Sequence, residues 1–73
     1  RPDYVEAQIG IGITHFQLGR FMEAAGAYER ALELDSENPR TLLYLGDTYK
    51  KLGRLEESEK IFERARKLRH AQL

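Results

Sequence analysis

Cysteine is absent from this chain. Neither a disulfide nor a thiolate-held metal site can therefore reinforce it. No apolar run approaches the roughly 20 residues needed to span a bilayer. No signal peptide is visible either, so no membrane partner is expected. The first residue is Arg1 rather than a methionine, which leaves room for an upstream segment. Lack of cysteine favours the cytoplasm without excluding other compartments. Net charge is also missing, since twelve Lys and Arg face twelve Asp and Glu.

What is present is short. Seventy-three residues make one domain, residues 1–73. A chain of this size removes only about 60% of its unfolded surface from water. Its stability is expected to be a few kcal/mol unless oligomerisation or membership of a longer array adds to the core. The balanced charge is unevenly spread. Residues 1–38 hold three cations and seven acids, a net −4, and residues 39–73 hold nine cations and five acids, a net +4. Ordinary solvated faces explain such a split. Head-to-tail pairing, or an anionic partner for the second half, is the sharper reading.

Sliding the chain on itself by 34 residues aligns Gly12 with Gly46, Leu18 with Leu52, and Gly19-Arg20 with Gly53-Arg54. Glu29-Arg30-Ala31 falls on Glu63-Arg64-Ala65, and Tyr28 meets Phe62. Residues 5–38 and 39–72 are thus two copies of one unit. Each copy reads as two helices. Asp3 can cap the first, with Glu6 completing a capping-box-like pair. Ile11, His15 and Leu18 recur at helical spacing. Gly19 ends that helix. Phe21, Ala24, Ala27, Tyr28, Ala31, Leu32 and Leu34 form the next apolar stripe. Asn38 is a good N-cap before Pro39 at the first helical position. The second copy follows with Leu42, Leu45 and Tyr49, a Gly53-Arg54 turn, then Leu55, Ile61, Phe62, Ala65 and Leu68. Helices are predicted near 4–18, 21–35, 39–52 and 55–70, an all-α chain of four antiparallel helices in two hairpins.

Glycine costs about 1 kcal/mol in a helix interior relative to alanine. Gly12 and Gly46 therefore read as close-contact points between the helices of each hairpin, with Ala24, Ala31, Ser58 and Ala65 opposite. Tyr28 and Phe62 fill the space beside them.

Catalytic chemistry finds no footing. Gly10 and Gly12 resemble the start of a dinucleotide-binding turn, but they sit inside a helix with no preceding strand and no third glycine. His15 is an isolated imidazole, which makes no metal site. His70 lies in the tail, and Ser36 and Ser58 have no His–acid pair in their sequence context. No cofactor, metal or enzyme activity is expected. Arg64, Arg66, Lys67, Arg69 and His70 make the last helix basic. No aromatic interleaves with them, four glutamates share the helix, and cations suit its C-terminal end. A nucleic-acid partner is not expected.

The period, the glycines and the aromatic positions together resemble the tetratricopeptide repeat family, whose unit is a 34-residue helix–turn–helix. The matching residues are Gln8, Ile11, Gly12, His15, Ala24, Tyr28 and Ser36 in the first copy. In the second they are Leu42, Leu45, Gly46, Tyr49, Ser58, Phe62 and His70. Gln8, His15 and Ser36 depart from the pattern, so the first repeat is expected to be the looser one. The resemblance implies an α-solenoid fragment in which the first helix of each repeat lines a groove for peptides or partner domains. By similarity the groove positions are Glu6, Ile9, Ile13 and Phe16, then Arg40, Leu43, Asp47, Lys50 and Lys51.

Ile9, Ile13 and Phe16 lie at i, i+4 and i+7 and share one helix face. It is not the face that carries Ile11, Gly12 and His15 toward the hairpin partner. An uncovered apolar stripe has three readings: a peptide groove, a self-association or upstream-repeat contact, or residual burial within the fold. Ala25 and Leu32 are expected to contact the second repeat. Their equivalents Glu59 and Arg66 are charged, which predicts a polar end face and an array ending near Leu73. One groove type in the family grips a terminal carboxylate with basic side chains, and Ile9 and Ile13 at those places cannot do so. Lys50 and Lys51 can meet an acidic peptide. The sequence thus reads as a protein-interaction module, the C-terminal end of a longer scaffold, with Ile9, Ile13, Phe16 and Leu43 as apolar anchors. The alternative is a homo-oligomerisation module, a homodimer that uses the same apolar face.

Overall fold

A computed structural model describes residues 2–71. Four helices follow one another: α1 Pro2–Gln17, α2 Phe21–Leu34, α3 Pro39–Lys51 and α4 Leu55–Ala71. Every boundary lies within two residues of the sequence expectation. The largest shift is at the first helix, where Asp3 sits inside the first turn rather than at the cap. Pro2 has the fixed φ that suits a first helical residue, and the helix opens there.

The turns within the hairpins are local and identical. Gly19 and Gly53 have φ of 77° and 78°, a left-handed conformation that side chains resist. The Gly19 N–H donates to the Phe16 carbonyl at 3.0 Å and the Arg20 N–H to His15 at 2.8 Å. The Gly53 and Arg54 N–H groups repeat this onto Lys50 and Tyr49 at 3.1 and 2.9 Å. This is the Schellman pattern, which satisfies the last carbonyls of a helix. Between the repeats, Asn38 Oδ1 accepts from the Thr41 N–H at 3.1 Å, with Pro39 following as read from the sequence. Arg64 reaches back from α4 and donates to the Ser36 carbonyl at 2.9 Å, tying that turn down. Asn38→Ala removes the cap and should cost about 1 kcal/mol. Thermal unfolding followed by circular dichroism should show the midpoint falling by roughly 4–8 °C. No shift would mean that proline and the Arg64 contact hold the turn alone.

Close approach within each hairpin depends on glycine. A Cβ at position 12 would lie 2.4 Å from a Tyr28 ring carbon, and one at position 46 would lie 2.5 Å from Phe62. Opposite Gly46, the buried Ser58 Oγ donates to its carbonyl at 2.8 Å.

The molecule measures 35 × 30 × 16 Å, so its short dimension holds only two helix layers. Its core is Val5, Ile9, Ala24, Ala25, Tyr28, Ala31, Leu45 and Tyr49. Leu32, Tyr44, Leu52 and Ile61 pack against its edge. Burial is lopsided. α2 buries five residues, Ala24, Ala25, Ala27, Tyr28 and Ala31, whereas α4 buries Ser58 and Ala65. α3 in turn buries six, Thr41, Leu42, Leu45, Gly46, Thr48 and Tyr49, so each repeat has one well-buried inner helix. α2 and α3 are the inner helices of the stack, each packed on two neighbours, and α1 and α4 are its outer helices. Of the departures from the repeat pattern, Gln8 is buried and accepts from Arg30 Nε at 3.2 Å, whereas His15 Nδ1 is buried without a hydrogen-bond partner among the described residues.

Several apolar residues assigned to buried stripes are exposed. Ile11 points away from α2, and Leu18, Leu34 and Leu55 also face solvent. Ala25 and Leu32 do pack toward the second repeat, and Glu59 and Arg66 are exposed as expected.

Candidate protein-binding surface

The two repeats meet along α1, α2 and α3. Three interactions set that meeting. Tyr44 of α3 stacks on Tyr28 of α2, with ring centroids 5.6 Å apart at 29°. The Tyr49 hydroxyl donates to Glu29 of α2 at 2.6 Å, and Arg54 lies 4.3 Å above the Tyr49 ring. Glu6 of α1 pairs with Arg40 of α3 at 3.2 Å, and the Arg40 guanidinium stands 5.9 Å from the Tyr44 ring centre.

This arrangement leaves a cleft between α1 and α3. Ile13, Phe16 and Gln17 form one wall, Tyr44 and Asp47 the other, and Tyr28 the floor; the volume is about 340 Å³. Ile13, Phe16 and Tyr44 are half-buried and available at its mouth. Phe16 is held in place by an edge-to-face contact with Phe21 at 5.1 Å. Asp47 carries the only formal charge among the lining residues. Burial, then Tyr44, then Asp47 push the Tyr28 hydroxyl up to about 12, so it stays protonated as a donor at neutral pH. The Tyr49 hydroxyl is likewise pushed up to about 12, first by burial and then by its bond to Glu29.

Of the residues the sequence grouped as a groove, the fold gathers only some. Ile13, Phe16 and Asp47 come together in the cleft. Arg40 flanks it through Tyr44 and is held by Glu6. Ile9 is a correction: it is 0% exposed and belongs to the core with Tyr28, Leu45 and Tyr49, so it cannot touch a partner. Leu43 is half exposed but lines a separate depression with Pro39, Phe62, Ala65, Arg66 and Arg69. Lys50 borders another, with Leu55, Ser58, Glu59 and Phe62. Lys51 is exposed near the end of α3. The sequence reading missed Gln17, Tyr28 and Tyr44. Tyr44 was detectable, because it lies four residues after Arg40 and three before Asp47 on one face of α3. Tyr28 fills the hairpin gap beside Gly12, as the sequence predicts, and also floors the cleft.

Among the described residues no group of three or more His, Asp or Glu is gathered to hold a metal ion. Among them no helix is long and apolar enough to cross a membrane.

The sequence profile of the tetratricopeptide repeat family matches residues 9–71. Over 57 residues, 78% of its length, the chain is 35% identical to mouse (Mus musculus) tetratricopeptide repeat protein 14. The matched stretch spans 7% of that much longer relative. Repeats of this family are generally non-catalytic scaffolds for other proteins. With the profile over most of its length and two helical hairpins of the same period, the chain belongs to the tetratricopeptide repeat family.

Proposed function

We propose that this chain binds a segment of a partner protein in the cleft between α1 and α3. The observation that carries the reading is the cleft itself: half-buried Ile13, Phe16 and Tyr44 around a volume of about 340 Å³, room for one or two inserted side chains. Apolar groups left at the surface of so small a protein gain most by being covered by a partner. The contact surface is Ile13, Phe16, Tyr44 and Asp47, with Arg40 at its edge.

Short peptides selected from a displayed random library against the chain, then titrated against Ile13→Lys, test this. The variant should bind at least about tenfold more weakly, or 1.4 kcal/mol, with its helical circular dichroism unchanged. Peptides that bind both forms equally would place the interaction elsewhere.

Self-association through the same cleft is the competing reading, favoured by the opposite net charges of the two halves. Sedimentation equilibrium over a concentration series separates the two. A monomer leaves the cleft open. A dimer whose mass falls on Ile13→Lys would make a second copy the occupant.

A further inference from the structure

The partner's chemistry is written into the charge of the cleft. Its lining is aromatic and aliphatic apart from Gln17 and the exposed carboxylate of Asp47. That carboxylate makes no ion pair among the described residues. The nearby cations are otherwise placed. Arg40 is committed to Glu6 at 3.2 Å. Lys50 faces the depression on the other side of α3. Lys51, one turn beyond Asp47, is outside ion-pair distance of it. The basic residues that the sequence offered for an acidic partner thus do not line this cleft.

Resting on the cleft reading above, we infer that the preferred occupant is a protein segment presenting a lysine or arginine beside an apolar side chain. The apolar side chain sits between Ile13 and Phe16. The basic residue lays its methylene stem along the apolar lining of the cleft and sets its charge against Asp47. Long basic side chains divide themselves in this way, with stem on apolar surface and head toward water or an acid. Complementary charge of this kind selects among partners more than it adds raw affinity.

Three synthetic peptides of equal length, alike except for lysine, alanine or glutamate beside a leucine, decide the matter by fluorescence anisotropy on the full chain. The lysine peptide should bind best and the glutamate peptide at least about tenfold more weakly, and added salt should narrow the gap. Asp47→Asn should erase the preference, and Asp47→Lys should reverse it. Asp47 is exposed, so both variants should keep the parent's circular dichroism. A wild-type preference for glutamate, or a lysine preference that survives Asp47→Asn, overturns the inference. If lysine and alanine peptides bind alike and Ile13→Lys abolishes both, the cleft reading stands and the charge inference falls. If none of the three binds, both fall.

Discussion

Ile9→Ala should unfold this protein at or near room temperature. Removing a large, wholly buried aliphatic side chain costs about 2–5 kcal/mol in lost transfer energy and residual cavity. The stability of a chain this small is itself a few kcal/mol. Ile9 is 0% exposed and packs in one cluster with Ala24, Ala25 and Tyr28 of α2 and with Leu45 and Tyr49 of α3. Its loss therefore strikes both the first hairpin and the joint between repeats. At roughly 4–8 °C per kcal/mol for a domain of this length, the thermal midpoint should drop by about 10 °C or more. Ile13→Ala, at the half-buried mouth of the cleft, should lower it far less and weaken peptide binding instead. The pair assigns one helix face to two jobs. A folded Ile9→Ala variant that loses only peptide binding would return Ile9 to the groove.

Gly12→Ala should destabilise the chain while Gly46→Ala leaves it nearly unchanged, although the two glycines occupy the same place in the repeat. In an isolated helix either change gains about 1 kcal/mol. Here the new methyl meets a ring. At position 12 that ring is Tyr28, 1% exposed and stacked on Tyr44, so it cannot retreat without breaking the joint between the repeats. Overpacking of this sort costs about 1–3 kcal/mol, which exceeds the helical gain. At position 46 the ring is Phe62, half-buried and lining the depression with Leu43 and Ala65, into which it can swing. Thermal midpoints of the two variants measure the difference directly. Equal losses would mean that Phe62 is as fixed as Tyr28.

The contrast shows where sequence reading stops. Both glycines were identified as contact points from the sequence, because a glycine inside an otherwise good helix has little other purpose. Nothing in the repeat distinguishes Tyr28 from Phe62. Only the stacking of helices does that: α3 packs on Tyr28 in addition to its hairpin partner α1, whereas Phe62 meets its hairpin partner α3. The candidate site divides in the same way. The i, i+4, i+7 spacing placed Ile9, Ile13 and Phe16 on one face of α1, and the helix confirms that face. Spacing cannot say where along a face a neighbouring helix closes and where a cleft opens. The Glu6–Arg40 pair brings the start of α3 beside the start of α1, so Ile9, three residues on from Glu6, falls within the core. Ile13 and Phe16, farther along, remain at the opening. Lys50 and Leu43 were assigned by their place in the repeat, but α3 has two sides, and theirs faces away from α1.

The amino-acid sequence alone determined the repeat, the helices and their ends. Those depend on interactions a few residues long: a glycine that takes positive φ at 19 and 53, an asparagine that caps at 38, and an apolar period that selects one face of each helix. The tertiary structure decided which part of each face is core, cleft or open surface. That is settled by how a second helix lies across the first, and two copies of one unit in different surroundings bury different atoms.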